Sequence, residues 1–113
     1  MAEFEEFDAD GGVRFELSGR LDSAGVERIE AALVETLRRG TANVILDLHS
    51  VPFVGSLGIR MLISLARALQ RQGRTAILSG VQPQVLDVFE TVALGEMIPI
   101  AGNADEAAQL LAG

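Results

Sequence analysis

Residues 43–48, Asn-Val-Ile-Leu-Asp-Leu, limit the choice of fold more than any other segment. Four of the six positions are apolar and branched, a density that suits a strand covered by helices on both faces. Helical patterns lie on either side. Over 25–39, Val26, Ile29, Leu33 and Leu37 recur at helical spacing, with Glu27, Arg28, Glu30, Glu35 and Arg38 largely opposite, and Gly40 follows as a stop. A second helical stretch runs from Ser56 to about Gln72, where Gly73 ends it. Strands separated by helices join through right-handed crossovers and lie parallel.

The remaining segments extend this pattern. Residues 3–8 alternate weakly through Phe4 and Phe7, Asp10-Gly11-Gly12 supplies a turn, and Val13, Phe15 and Leu17 share one face. These features predict an N-terminal β-hairpin. Asp22 or Ser23 can cap the helix that follows. Residues 76–78 form another strand, Pro83 suits the first position of a helix, and Val85, Leu86, Val88 and Phe89 give that helix an apolar face. Residues 97–100 read as a short edge strand because of Pro99. Residues 103–111 close the chain as a helix with Asn103 as its cap. The predicted class is α/β: a single domain over 1–113, in ββαβαβαβα order, with a mixed, largely parallel sheet packed with helices.

Composition excludes several functions. With no Cys, disulfides, thiolate metal sites and a cysteine nucleophile are impossible. All five aromatics are Phe, and the net charge is −7, which argues against nucleic acid and anionic membrane surfaces as partners. No apolar run approaches the roughly 20 residues that span a bilayer, so no direct membrane insertion is expected. The opening Met-Ala-Glu-Phe-Glu-Glu has neither a basic nor an apolar region, which predicts no signal peptide and a cytoplasmic location.

The segment Val51-Pro-Phe-Val-Gly-Ser-Leu-Gly-Ile-Arg60 joins the central strand to the second helix. Ser56 sits at the junction. A serine before a helix is ordinarily a cap. The same position is also where a phosphate rests most comfortably, and Gly55 and Gly58 let another backbone approach. The helix itself carries more apolar surface than one buried face needs. Leu62, Leu65, Ala66 and Leu69 form one stripe and Ile59 and Ile63 a second, with Met61 off both. Either this helix is sandwiched deeply in the core, or Ile59, Met61 and Ile63 form a docking surface beside Ser56. His49 is the only histidine, and a strand-end histidine bonded to backbone is expected rather than a metal ligand or acid–base group. Nothing pairs Asp22 with Asp47. There is no glycine-rich dinucleotide fingerprint, P-loop or nucleophile elbow, so neither an enzyme, a cofactor, a metal nor a nucleotide is predicted.

Several pieces in order resemble a STAS domain of the bacterial anti-sigma factor antagonist family. Leu17-Ser-Gly-Arg-Leu-Asp22 is similar to the family's Gly-x-Leu-Asp segment. Val44-Ile-Leu-Asp-Leu48 followed by Val51-Pro-Phe53 comes next. Ser56-Leu-Gly-Ile-Arg60 resembles the Asp-Ser-Ser/Thr-Gly-Leu-Gly signature and its Ser-Ser-Ala-Gly-Leu-Arg variant. The stretch from Pro83 to Leu94 is similar to the helix that follows. The resemblance runs from about Phe4 to Leu111.

The resemblance implies partner switching. An unphosphorylated antagonist binds an anti-sigma factor that is also a serine kinase, the kinase phosphorylates the signature serine, the complex dissociates, and a phosphatase resets the cycle. By position Ser56 matches the phosphoacceptor, and Asp22, Gly55, Ser56, Leu57, Gly58, Ile59, Arg60, Met61 and Ile63 become the expected partner-binding residues. Two positions depart from the pattern: Gly55 stands where Asp is typical, and Leu57 where Ser or Thr is common. The alternative is a STAS adaptor of a transport or other regulatory complex that uses the same helix without phosphorylation. The apolar helix flank is equally compatible with a homodimer.

Overall fold

A computed structural model describes residues 1–112. The described residues form a four-stranded sheet in the order β1-β2-β3-β4. β1 (Glu3–Ala9) and β2 (Gly12–Ser18) make the antiparallel hairpin predicted from the Asp10-Gly11-Gly12 turn, with Phe4 opposite Leu17 and Phe7 opposite Arg14. β3 (Asn43–Ser50) pairs parallel to β2, and β4 (Ala76–Ser79) pairs parallel to β3. The parallel pairs follow from their connections, α1 (Ser23–Arg39) and α2 (Ser56–Arg71). α3 (Pro83–Thr91) begins at its proline as expected.

Strand alternation sorts the side chains onto two faces. Phe15, Leu17, Val44, Leu46, Leu48, Ala76 and Leu78 join the buried faces of α1, α2 and α3 in the main core. Ile45 and Ile77 point the other way, where α4 (Ala104–Ala112) covers them with Ala107 and Leu111. Asn103 caps α4, its Oδ1 accepting from the Glu106 N–H at 2.8 Å. The continuous apolar run in β3 is thus explained by helices on both faces.

Residues 97–100 correct the sequence reading. They form no fifth strand but a single parallel bridge, Leu78 with Ile100. Leu78 donates to the Pro99 carbonyl (2.9 Å) and its own carbonyl accepts from Ala101 (2.8 Å). Proline cannot donate to a ladder, and a 3-10 turn over Leu94–Glu96 uses up the chain that would lengthen the strand.

Arg74 has a structural task that the sequence did not reveal. It is 6% exposed and donates to the carbonyls of Ala42 (2.7 Å) and Leu37 (2.8 Å) and to Gln72 Oε1 (3.0 Å). The charge therefore rests on the Leu37 carbonyl in the last turn of α1, at the negative end of the helix dipole, and on the Ala42 carbonyl just before β3. Burial lowers its pKa. Gly40 serves less as a left-handed stop than as a gap. Its φ is −85°, and a Cβ there would lie 3.2 Å from the Arg74 guanidinium.

Candidate functional site

The carboxyl ends of β2, β3 and β4 meet at one edge of the sheet, the usual place for a site in an α/β fold. Here the β2–α1 and β3–α2 connections are stitched together. Leu21 and Val54 form an isolated parallel bridge, with the Leu21 N–H donating to the Phe53 carbonyl (2.9 Å) and the Gly55 N–H to the Leu21 carbonyl (3.0 Å). The β4–α3 turn joins them through Gln82 Nε2, which donates to the His49 carbonyl at 2.8 Å.

This stitching sets the first turn of α2. Gly55 is the N-cap, in extended backbone, and no side chain caps the helix. The Ile59 N–H donates to the Gly55 carbonyl at 3.0 Å, so Ser56 is already the first helical residue. The expectation that Ser56 caps α2 is therefore off by one position. The Gly55 N–H is tied to Leu21, and the helix starts at that anchor. Ser56 is exposed, and its hydroxyl is left free of capping duty beside the positive end of α2.

Gly58 and Met61 prove to be structural. A Cβ at Gly58 would sit 2.6 Å from the Leu21 carbonyl and 2.8 Å from Val54 Cγ1, so the glycine lets α2 lie directly on the bridge. Met61 is 1% exposed and belongs to the main core, so it supports the surface around Ser56 from below and adds no exposed side chain to it. Ile59 and Ile63 are half-buried against the core. The wide apolar face of α2 is thus spent chiefly on packing.

The exposed side chains around Ser56 are different ones. Leu57 is 41% and Phe53 38% exposed. Sequence reasoning missed Phe53 and Arg20 as a pair. The Arg20 guanidinium lies over the Phe53 ring, 4.2 Å from its centroid, a cation–π contact that joins the two loops. Arg20 also donates to Asp22 Oδ2 (3.4 Å). Asp22 caps α1, its Oδ1 accepting from the Gly25 N–H (2.9 Å). That bond first, and Arg20 second, hold its carboxyl below the usual carboxylate range. Its role is to fix the loop beside Ser56. Arg60 is exposed one turn along α2 from Ser56 and has no ion-pair partner among the described residues.

A second polar cluster lies on the opposite face of the sheet. His49 Nδ1 is 2.9 Å from Asp47 Oδ1, and its Nε2 is 3.8 Å from Glu16 Oε1. The ring pairs with a carboxylate rather than with backbone, correcting the expectation for His49. Arg14 already serves these carboxylates, donating to Glu16 at 2.6 Å and to Asp47 at 3.2 Å. Asp47 and Asp22 are not a pair, as anticipated: one faces Arg14 and the other caps α1.

Comparison with known proteins places the fold. Residues 5–107 match the model of the STAS domain. The chain belongs to the STAS domain family. BtrV of Bordetella bronchiseptica, which carries the name of an anti-sigma factor antagonist, is 30% identical over 92 residues, covering 81% of this chain and 79% of BtrV. An anti-sigma factor antagonist from Mycobacterium paratuberculosis has the same fold, with a TM-score of 0.87 at 19% identity over 100% of this chain and 96% of that one. Unphosphorylated SpoIIAA superposes with a TM-score of 0.75 at 23% identity, over 97% and 96% of the two chains. SpoIIAA from Bacillus has also been solved phosphorylated, with a TM-score of 0.68 at 22% identity over 97% and 99%. Among the described residues of this STAS domain, no helix is long and apolar enough to cross a membrane.

Proposed function

We propose that this STAS domain is an anti-sigma factor antagonist that works by partner switching, with Ser56 as its phosphorylation site. The observation that carries this is the state of the Ser56 hydroxyl: exposed, at the first position of α2, and free of any cap bond. The surface around it, Gly55, Leu57, Ile59, Arg60 and Ile63 with Phe53 added, receives an anti-sigma factor that is also a serine kinase. Asp22 holds the adjoining loop, and Gly58 and Met61 seat the helix.

The chemistry follows from charge. A phosphoryl group on Ser56 adds about −1.5 to −2 at pH 7. At a helix N-terminus that charge is stabilised by free N–H groups, so the fold survives. A partner packed on Leu57 and Phe53 would have to desolvate a dianion and dissociates instead. A phosphatase then restores the hydroxyl.

The test is a pull-down from the native host's lysate with wild type and Ser56→Asp as baits, read by mass spectrometry. An identified serine kinase or anti-sigma factor retained by wild type and lost by Ser56→Asp is the expected result. The same partner on both baits, or transport subunits on both, would assign a static adaptor role in its place.

A further inference from the structure

A second surface lies along the C-terminal half of α2, away from Ser56. α1 and α2 leave a groove of about 190 Å³ between them. Its floor is Leu37, Met61, Leu65 and Leu69, with Val34 at one wall and Ser64 and Ala68 as the low α2 lip. Val34 is 39% exposed, an apolar side chain turned outward on a helix whose other large apolar residues are buried. A dry cavity of about 150 Å³ holds a benzene ring, so this groove has room for one large apolar side chain from outside.

The α2 flank of the groove is cationic, while the α1 rim carries Glu30 beside Arg38. Arg67 stands three residues beyond Ser64 and Arg71 three beyond Ala68, both exposed, which places each beside the lip. Neither has an ion pair or side-chain hydrogen bond among the described residues. α2 carries no acidic residue at all, in a chain with 16 acidic and 9 basic residues. Arg71 lies in the last turn, where the helix dipole favours it. Arg67 lies a turn earlier, where the dipole no longer accounts for it. Glu30 and Arg38 complete the lining on the α1 side, and Arg38 is paired to Glu35 at 3.6 Å.

We infer that this groove docks an acidic amphipathic helix of a protein partner. One or two of its apolar side chains enter beside Val34, and its flanking carboxylates bond to Arg67 and Arg71. An apolar floor between two helices accepts a third helix, and free guanidinium groups match carboxylates two bonds at a time. The net charge of −7 opposes every anionic partner in proportion to its charge, so it penalises nucleic acid and anionic lipid far more than a segment that brings only two carboxylates to the two arginines. The surface stands independently of the Ser56 switch.

The experiment is a display library of random helix-length segments, panned against the whole chain. The expected winners combine apolar residues at helical spacing with flanking Asp and Glu. Their affinity falls about tenfold for Arg67→Gln/Arg71→Gln, the loss two partly desolvated charge pairs carry. It falls similarly for Val34→Glu, with circular dichroism unchanged in both variants. Ser56→Asp leaves it at the wild-type value, so the failure of one surface is distinguishable from that of the other. Enrichment without acidic residues, no enrichment, or equal affinity for the arginine variant would overturn the inference. So would a homodimer in sedimentation that Arg67→Gln/Arg71→Gln dissociates, since a second copy would then be the occupant. Displacement of the selected peptide by phosphatidylserine vesicles or duplex DNA would likewise replace the protein partner with a polyanion.

Discussion

Leu21 bonds to the residues on both sides of Val54, donating to the Phe53 carbonyl and accepting from the Gly55 N–H. This one bridge brings the cap of α1 and the first turn of α2 to the same edge of the sheet. It also leaves no space above it. The Cβ of any residue replacing Gly58 would meet the Leu21 carbonyl at 2.6 Å.

Gly58→Ala is therefore expected to destabilise the fold, although alanine is the better helix former by nearly 1 kcal/mol. Overpacking of this kind costs about 1–3 kcal/mol, and it outweighs the propensity gain. Urea unfolding should show a lower midpoint with an unchanged slope. A midpoint at or above wild type would mean that α2 can lift from the bridge freely.

Asp22 makes the loop beside Ser56 sensitive to acid. Its carboxyl pKa is depressed in the fold, chiefly by the Gly25 N–H, so its stabilising contribution is complete above the unfolded value of about 4. It is lost as pH falls through the depressed folded value. Asp22→Asn keeps a capping oxygen and removes the charge. Wild type should thus be the more stable protein at pH 7, with the gap closing below pH 4 in thermal melts. A gap that persists at low pH would place the effect elsewhere than in the carboxylate.

Arg74 is buried with three oxygens around it and no carboxylate among them. Arg74→Met fills most of the space yet removes the guanidinium from the Ala42 carbonyl and leaves Leu37 with only its bond from the Gly40 N–H. Hydrogen bonds from a charged group contribute about 1.5–3 kcal/mol, so chemical denaturation should show a loss of that order. A loss below about 0.5 kcal/mol would show that water replaces the guanidinium.

Much of the architecture was legible because its signals are local and repeated. The β3 run, the Asp10-Gly11-Gly12 turn, Pro83 and Asn103 each behave as their chemistry dictates. The departures share a cause that lies outside the local sequence. Ser56 is one place past the cap because the Gly55 N–H is claimed by Leu21, a residue 34 positions away. Met61 looked available on a helical wheel and is buried because α1 packs over it. Arg20 and Phe53 stack only because the Leu21 bridge brings their loops together. Arg74 reads as an ordinary surface arginine until the C-terminus of α1 is placed beside it.

Gly55 is the departure with the sharpest functional consequence. Its φ of −89° suits any residue, and the nearest atoms to a Cβ there belong to Phe53, at 3.3 and 3.6 Å. Phe53 is exposed and can yield. Nothing in the backbone therefore demands glycine, and an Asp would occupy the N-cap position where it is preferred. Gly55→Asp should leave the fold intact and raise stability by a few tenths of a kcal/mol, about the difference between those two residues at a cap. Under the proposed switch, an Asp here would also match the residue typical before the phosphoacceptor in the family this chain resembles, so phosphorylation of Ser56 by the proposed kinase is expected to be faster than in wild type, followed by phosphate incorporation over time. Faster incorporation with an unchanged or higher melting temperature would mean that glycine at 55 sets a slow switch. An unchanged rate would mean that the free Ser56 hydroxyl, without a neighbouring carboxylate, already presents everything the kinase reads.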